Sequence, residues 1–209
     1  MTDAEALAAF ETLLDTQKPA GPWEPVTDYT YDARADVEGQ TPDLLLSTFT
    51  PKSILDAGCG FGHLVRLLIE RGADAYGFDI KSRRDWIESP RFRVANLAGD
   101  VDRIPFNGKF ELVICREVLE HLTVKQIGKA VSNLCKLSKR FVYVTTRFAD
   151  APRHLLDVQT SDNLDPTHIS LLNKDFLRTL FVLEGFKRRE DLEIVMDWRN
   201  LGRVLVYER

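Results

Sequence analysis

The sequence predicts an α/β fold in which helices cover both faces of a mostly parallel sheet. Short β-rich segments alternate with amphipathic helical segments along most of the chain, and this alternation is typical of parallel sheets. A glycine-rich turn also follows the first predicted strand and precedes a helix, which is the context that a cofactor-binding turn requires. The two observations together predict an α/β domain that binds a cofactor.

The N-terminal part is predicted to contain two helices. Thr2 and Glu5 form a capping-box pattern before the first helix, and the Thr41–Pro42 pair starts the second with proline in its first turn. Between them, residues 17–40 show no helical or strand period. We expect an ordered loop there, with Trp23, Tyr29 and Tyr31 either stacking on a substrate or anchoring the loop to the core.

The cofactor-binding turn is predicted between a buried strand at residues 52–56 and a helix that ends near Gly72. Glycines at 58, 60 and 62 remove Cβ atoms where the backbone must approach a ligand closely. We also expect N–H groups at the start of the helix to hold an anionic group. A second strand, at residues 75–79, ends in an acid.

Further strands are predicted at residues 92–97, 110–115 and 141–145. Thr123 and Gln126 give a capping-box pattern for one helix, and Asn173 starts another. The last two β-rich runs, at 186–196 and 203–207, surround residues 197–202. We expect both runs to be strands.

Length and composition fit one globular domain. A chain of 209 residues buries roughly 70% of its unfolded surface, and 44% apolar with 29% charged residues is ordinary. No apolar run approaches the ~20 residues of a membrane span, and the acidic N-terminus is unlike a secretory signal. Three cysteines, an odd number, favour a reducing cytoplasm.

The charge balance argues against a large nucleic-acid interface. The net charge is −4 and the pI is about 5.6, whereas binding to phosphates needs a basic surface. The basic clusters at 81–84 and 187–189 are short and followed by acids, so solvated faces are the expected role. A small-molecule or oligosaccharide substrate is therefore favoured, and a homodimer is compatible with the sequence.

Two cofactors remain open on the glycine turn alone, because a dinucleotide fold also uses spaced glycines and a later acid. The downstream segments favour one of them. Four motifs occur in order, at residues 56–62, 79–80, 99–106 and 110–121. Together they resemble the class I S-adenosylmethionine (SAM) methyltransferases, from about residue 52 to the C-terminus.

This resemblance implies a Rossmann-like, seven-stranded sheet closed by an antiparallel C-terminal strand pair. It also implies one domain over residues 1–209, with helices and a substrate cap at 1–50 and the catalytic core at 51–209. The resemblance implies that the turn formed by Asp56, Gly58, Gly60 and Gly62 lies against the methionine portion of the cofactor and that Asp79 binds the ribose. It implies that Ile80 covers an adenine face and that Asp100 and Val101 contact the adenine edge. The segment after Cys115 would then lie beside the sulfonium.

A second set of residues has metal-ligand character. Glu117, Glu120 and His121 would share one face if their segment is helical, and His168 precedes a later helix. The set resembles that of the plant-type small-RNA 3′-terminal 2′-O-methyltransferases, where two glutamates and two histidines hold a divalent ion against ribose hydroxyls. Such a donor set suits Mn²⁺ at least as well as Mg²⁺.

A metal-free interpretation stays open. The segment at 118–122 is also common in small-molecule methyltransferases, where Glu120 and His121 organise the pocket wall, and His168 would then be a general base or a structural residue. His63, in the glycine turn, and His154 are weaker candidates. Of these two, His154 beside Arg153 is the better substrate-side residue.

These patterns lead to an expected function, a SAM-dependent O-methyltransferase acting on a saccharide hydroxyl with a divalent ion. The sequence as a whole resembles bacterial saccharide-modifying methyltransferases of the methylmannose polysaccharide type. Three alternatives stay open: 2′-O-methylation of an RNA 3′ end, metal-free methylation of a small metabolite, and SAM binding by a regulator without turnover.

Overall fold

The computed structural model describes residues 2–16, 18, 40–81, 90–100, 106, 108–149, 156–157 and 167–209. Its elements in chain order are α1 (Asp3–Thr16), α2 (Thr41–Phe49), β1 (Ile54–Ala57), α3 (His63–Glu70), β2 (Ala75–Asp79), β3 (Phe92–Val94), β4 (Phe110–Arg116), a 3₁₀ turn (Leu119–His121), α4 (Val124–Leu137), β5 (Ser138–Thr145), β6 (Leu156–Asp157), β7 (Leu171–Leu172), α5 (Lys174–Leu183), β8 (Lys187–Arg188), α6 (Glu190–Met196) and β9 (Val204–Glu208).

Seven strands form one sheet in the order β3-β2-β1-β4-β5-β9-β8. Strands β1 to β5 are parallel to one another, whereas β9 runs antiparallel to both β5 and β8. The predicted seven-stranded class and its antiparallel C-terminal pair are therefore confirmed. The short strands β6 and β7 form a separate antiparallel pair.

The core lies on both faces of the sheet. One apolar cluster joins the sheet to α4 and α5, and Phe181 stacks on Tyr207 there with ring centroids 4.4 Å apart. The other cluster joins the sheet to α2, α3 and α6 and includes Leu45, Leu68 and Met196. Within the described residues, no helix is long and apolar enough to cross a membrane.

The predicted helix starts are confirmed by their caps. Thr2 and Glu5 exchange hydrogen bonds at the start of α1, and Thr123 and Gln126 do the same before α4. The Asn173 side chain accepts hydrogen bonds from two N–H groups of the first turn of α5. These are local interactions, so a short sequence pattern is enough to predict them.

Two predicted strands are wrong in part. The run at 186–196 forms a strand only at Lys187–Arg188 and then becomes helix α6, where Glu193 accepts hydrogen bonds from the Arg188 side chain and the backbone of β9. The run at 92–97 ends as a strand at Val94, because the Asn96 side chain and carbonyl accept the next N–H groups and form a turn.

Candidate active site

Three parts of the predicted site come together at one edge of the sheet. The glycine turn follows β1, Asp79 ends β2 and Glu117 follows β4, so all three lie at the carboxyl ends of parallel strands. This edge is where open α/β sheets bind their ligands.

The three turn glycines all have positive φ angles, but they serve different purposes. A Cβ atom on Gly58 would lie 2.4 Å from a methyl carbon of Val118, and one on Gly62 would lie 2.5 Å from the Phe92 ring. A Cβ atom on Gly60 meets no atom of the described residues within 4 Å, apart from its own chain neighbours. Two glycines are therefore needed for packing, whereas Gly60 borders open space that a ligand can fill.

The first N–H groups of this turn are used within the protein, whereas the prediction that N–H groups at the start of α3 hold an anionic group stays a prediction. The N–H groups of Gly58 and Cys59 donate to the carbonyl of Phe78 at 2.8 and 3.0 Å, and that of Gly60 donates to Asp79 Oδ2 at 2.9 Å. The end of β2 takes up these donors because it lies directly beside the turn. The turn is thus held in shape before any ligand arrives.

Asp56 is a buried acid at the start of the turn, with only 4% of its surface exposed. Burial raises the pKa of Asp56 to about 7; the charge of Arg116 opposes this shift and that of Asp79 adds to it. A carboxyl of this kind is stabilised in its charged form by a nearby cation. The methionine portion of SAM carries two, an ammonium and a sulfonium.

Asp79 has the geometry that a ribose ligand needs. Its Oδ2 and Oδ1 accept N–H hydrogen bonds from Gly60 and Lys81, which orient the carboxylate and leave lone pairs for hydroxyl donors. The next residue, Ile80, is 48% exposed, as expected of a side chain that covers an adenine face.

The structure gives less direct support for a cofactor contact by the remaining predicted residues. Asp100 is exposed and follows a loop that the buried Asn133 side chain fastens by donating to the carbonyls of Leu97 and Gly99 at 2.7 and 2.9 Å. Cys115 is fully buried in the core, so its side chain does not reach a ligand. Val101 lies outside the described residues.

The segment from Glu117 to His121 is not an α-helix, so the condition under which Glu117, Glu120 and His121 would share one helical face is not met. Glu117 has a φ of 50° and donates its N–H to the carbonyl of Thr145 at 2.8 Å, so the chain bends there instead of entering a helix. Only Leu119–His121 form a 3₁₀ turn. Glu120 and His121 nevertheless both lie in the candidate site, and Glu117 remains close enough to Glu120 to influence its pKa.

Glu120 is fully buried and fastens three segments together. Its Oε2 accepts a hydrogen bond from Thr146 Oγ1 at 2.8 Å, and its carbonyl accepts the N–H groups of Ile169 and Ser170. Its Oε1 is buried and has no hydrogen-bond partner in the part of the chain that the structure describes. Burial, followed by the charge of Glu117, raises the pKa of Glu120 well above its usual range.

Two histidines complete this cluster. One ligand atom each from Glu120, His121 and His168 can be chosen so that all three lie within 4.8 Å of one another. Donors around one ion at about 2.1 Å lie up to about 4.2 Å apart, so small side-chain rotations would bring the three onto one cation. The buried Oε1 of Glu120, which has no partner within the described ranges, is the kind of atom that an ion would satisfy, and the cluster therefore fits a divalent metal.

Thr167 orients His121, because Nδ1 of this histidine lies 3.1 Å from the Thr167 carbonyl and 2.9 Å from its hydroxyl. If Nδ1 donates to the carbonyl, the basic nitrogen is Nε2, which is the arrangement of most histidine metal ligands. Neither Thr167 nor Thr146 was predicted. A lone threonine gives no signal in a sequence, because its role depends on which residue the fold brings next to it.

The other predicted candidates do not join the cluster. His63 lies on α3, where its ring stacks on Phe61 and its Nδ1 is 3.4 Å from an Arg66 nitrogen. His154, Trp23, Tyr29 and Tyr31 lie outside the described residues, so the roles predicted for them stay predictions.

Relatives in sequence are methyltransferases. The Synechocystis sp. magnesium-protoporphyrin O-methyltransferase is 30% identical over 115 residues, which cover 49% of this chain and 44% of the relative. The Idiomarina loihiensis ubiquinone biosynthesis O-methyltransferase is 29% identical over 154 residues, which cover 68% of this chain and 60% of the relative. The chain thus spans about half of the length of these two curated relatives.

Solved structures share the fold. The magnesium protoporphyrin IX methyltransferase from Synechocystis PCC 6803, with bound SAH, superposes with a TM-score of 0.59 at 19% identity, covering 99% of this chain and 95% of that one. The N-terminal domain of EvdMO1, in the presence of SAH and D-fucose, gives 0.58 at 13% identity, covering 100% and 96%.

The family described as "Methyltransferase domain" matches residues 29–190, which is more than half of the chain. This match includes the glycine turn, Asp79, Asp100 and the Glu120–His121–His168 cluster. The chain therefore belongs to the methyltransferase domain family, the SAM-dependent class that its glycine turn and ordered motifs resemble.

Proposed function

We propose that this chain transfers the methyl group of SAM to a hydroxyl of a saccharide, and that a divalent ion bound by Glu120, His121 and His168 assists the transfer. Glu117, beside Glu120, is the fourth proposed ligand. The observation that carries the proposal is the buried Oε1 of Glu120, which lies next to two imidazoles and has no hydrogen-bond partner among the residues that the structure describes. Water would normally satisfy such an atom, and a cation satisfies it better.

The cofactor side of the proposal rests on the glycine turn. The sulfonium of SAM is already a good leaving group, so the protein has mainly to bind and orient it. Asp79 would accept the ribose hydroxyls, and Asp56 would face the positively charged methionine portion. Gly60 lies between Asp56 and Asp79 in the sequence, and the open space beside it would let the cofactor approach the backbone.

The acceptor side needs more from the protein, because a hydroxyl is a poor nucleophile at neutral pH. A divalent ion supplies Lewis-acid stabilisation of the developing alkoxide. Glu120, His121 and His168 would hold the acceptor oxygen behind the methyl carbon, and such alignment contributes several kcal/mol, by order of magnitude, to lowering the barrier. Neighbouring hydroxyls suit this arrangement, because a diol can bind through both oxygens.

Two further observations support a saccharide acceptor. The acidic balance of the chain disfavours an RNA substrate, and the fold is shared with a methyltransferase domain whose structure was determined in the presence of D-fucose. The main competing function is metal-free methylation of a planar metabolite. The names of the porphyrin and ubiquinone relatives favour that alternative, in which His168 would serve as a general base.

Metal removal tests the first part of the proposal. Chelation, or His168→Ala, should abolish transfer and leave SAM affinity nearly unchanged, because the ion would contact the acceptor and not the cofactor. Mn²⁺ or Mg²⁺ should restore the chelated wild type but not the variant. His63→Ala, which changes a histidine outside the cluster, is the matched control and should stay active. Full activity in excess EDTA would establish the metal-free alternative.

Salt dependence tests the acceptor class. Methyl transfer would be measured against a panel of oligosaccharides, small phenols and short RNA duplexes at two salt concentrations. For each phosphate contacted, affinity falls by about 0.7 log units per tenfold salt on a single strand and by about 0.9 on a duplex, whereas a neutral glycan should show almost no change. We expect turnover of the saccharides with little salt effect. Turnover confined to RNA, with a steep salt slope, would move the enzyme to the RNA class.

A further inference from the structure

A buried amide on α4 holds the loop that follows β3. The side chain of Asn133 is 0% exposed, and its Nδ2 donates hydrogen bonds to the carbonyls of Leu97 and Gly99 at 2.7 and 2.9 Å. Because both partners are carbonyl acceptors, the NH₂ end of the amide faces the loop and its oxygen faces away. Through this one side chain, α4 fixes the course of the loop backbone.

The position of this amide is unfavourable for the core itself. Ala130 and Leu137, one turn before and after Asn133 on the same face of α4, belong to the apolar cluster on that side of the sheet. Asn133 Oδ1 is buried there and has no hydrogen-bond partner among the described residues. A buried acceptor without a partner destabilises a fold, and an apolar side chain would avoid that loss. What the amide contributes is therefore its hold on the loop.

The loop lies at the cofactor edge of the sheet. Val94, the last residue of β3, pairs with Asp79, and the Ala95 N–H donates to the Asp79 carbonyl at 2.9 Å. Asp79 is the proposed ribose ligand, and the adenine of SAM is bonded directly to that ribose. The adenine would therefore lie beside the ends of β2 and β3, next to the loop that Asn133 holds.

The loop is also fastened at two other points. The Asn96 side chain accepts the N–H of Ala98 at 2.9 Å, and its carbonyl accepts that of Gly99 at 3.0 Å. The Leu97 side chain is buried in the same apolar cluster as α4. With Asn133 on its inner side, the backbone is held in place up to the predicted adenine-edge acid, which follows Gly99 directly.

We infer that Asn133 is a positioning residue for the adenine of SAM, an inference that rests on the proposed function of SAM-dependent transfer. By holding the Gly99 carbonyl, it fixes the backbone that leads into Asp100, whose carboxylate would accept a hydrogen bond from the adenine amino group. Asn133 is fully buried, so it acts through the loop and does not contact the cofactor. A loop that is ordered in advance raises affinity, because binding does not have to order it.

Two ligands that differ in one group test this inference by calorimetry. S-adenosylhomocysteine (SAH) carries the adenine amino group, and S-inosylhomocysteine has a carbonyl oxygen in its place. The wild type should bind SAH about tenfold more tightly, because a carboxylate accepts from the amino group and repels the oxygen. Asn133→Leu, which has a similar volume, should bind SAH about tenfold more weakly and lose most of this preference. Its affinity for S-inosylhomocysteine should change little.

Val131→Ala is the matched control. Val131 is 1% exposed on α4 and belongs to the same apolar cluster, but its side chain has no donor to hold the loop. This variant should lose stability in urea and keep both the affinity for SAH and the preference for it. Asn96→Ala is a second loop variant at an exposed position, so it should fold and lose part of the same preference.

The outcomes separate this inference from the proposed function. An unchanged preference for SAH in a folded Asn133→Leu protein would overturn the inference and leave SAM binding standing. An equal loss of preference in Val131→Ala would also overturn it, because general packing of α4 would then set the affinity. If Asn133→Leu does not fold, an unchanged preference in Asn96→Ala overturns it.

The wild type supplies two further outcomes. Equal affinity for SAH and S-inosylhomocysteine would show that the loop does not read the amino group, and this too would overturn the inference. A wild type that binds neither ligand would overturn the proposed function together with the inference.

Discussion

Two individual carboxylates, Asp79 and Glu120, make the central contacts in the proposed cofactor and metal sites. Asp79 is the clearest case, since two backbone N–H groups orient it toward the space beside the glycine turn. Glu120 is the opposite case, because it is buried and one of its oxygens has no partner among the described residues. The oriented carboxylate of Asp79 and the partly hydrogen-bonded carboxylate of Glu120 would bind different ligand groups, so each is tested by its own experiment.

We expect Asp79→Asn to weaken SAM binding by about 10- to 100-fold and to leave the fold intact. Charge-assisted hydrogen bonds to the ribose contribute roughly 1.5 to 3 kcal/mol each, and an amide replaces one acceptor oxygen by a donor. Calorimetric titration measures the change. Asp74→Asn, at the exposed acid before the same strand, is the control. Unchanged SAM affinity in a folded Asp79→Asn protein would remove Asp79 from the cofactor site.

Thr146 should tune the proposed metal site, because its hydroxyl orients the Glu120 carboxylate. Thr146→Val keeps the volume and removes the hydrogen bond, so we expect Mn²⁺ affinity to fall about 10- to 100-fold. Thr146→Ser keeps the hydroxyl and should remain close to wild type, and SAM affinity should be unaffected in both variants. Equal Mn²⁺ affinity in the two variants would show that Thr146 only fills space.

At the scale of elements, two glycines allow the effect of an alanine substitution on backbone conformation to be distinguished from its effect on SAM binding. Gly60 and Gly72 both have positive φ angles, and in the part of the chain that the structure describes a Cβ atom at either position would meet no atom within 4 Å beyond its chain neighbours. Alanine at either position should destabilise the fold by about 1 kcal/mol. Only Gly60→Ala should also lose SAM affinity, because Gly72 lies at the far end of α3.

Chemical denaturation and SAM titration of both variants make this comparison. A Gly60→Ala protein that binds SAM as tightly as Gly72→Ala would show that the space beside Gly60 is not the cofactor cradle. A much larger loss of stability in Gly60→Ala than in Gly72→Ala would show that the turn itself has been disrupted, since both positions are open and left-handed.

Elements defined by local signals were predictable from the sequence. The capped helices and the strand–turn–helix unit at residues 54–70 depend on neighbouring residues, and the structure confirms them. Helix α6 was not predictable, because Glu193 forms its contacts with Arg188 and with β9. The bend at Glu117 was not predictable either, since it depends on a hydrogen bond to Thr145, 28 positions later.

The whole molecule should lose stability as the pH rises toward neutrality, because of Asp56. Its pKa is 3.8 when unperturbed and about 7 in the folded protein, so folding takes up a proton between these values. Stability from this group is therefore fully present below pH 3.8 and is lost as the pH approaches 7. By linkage, the loss is up to about 4 kcal/mol.

Urea denaturation of the SAM-free protein at pH 5 and pH 8 measures this loss, with Asp56→Asn as the comparison. The variant should show a smaller difference between the two pH values, because an amide does not titrate. SAM should bind the wild type more tightly at pH 8 than at pH 6, since its cations favour the charged carboxylate. The same pH dependence in wild type and variant would contradict the shift assigned to Asp56.

The position of β9 has a consequence for how the chain could be divided. This strand lies between β5 and β8, and residues 167–209 supply it together with His168 and the two N–H groups that bind the Glu120 carbonyl. A fragment ending at residue 149 would therefore hold Glu120 and His121, and a second one starting at 167 would hold His168, so neither has the whole proposed metal cluster. Reassembly of two co-expressed fragments could then be followed by the return of Mn²⁺ binding, which would make this domain a split reporter.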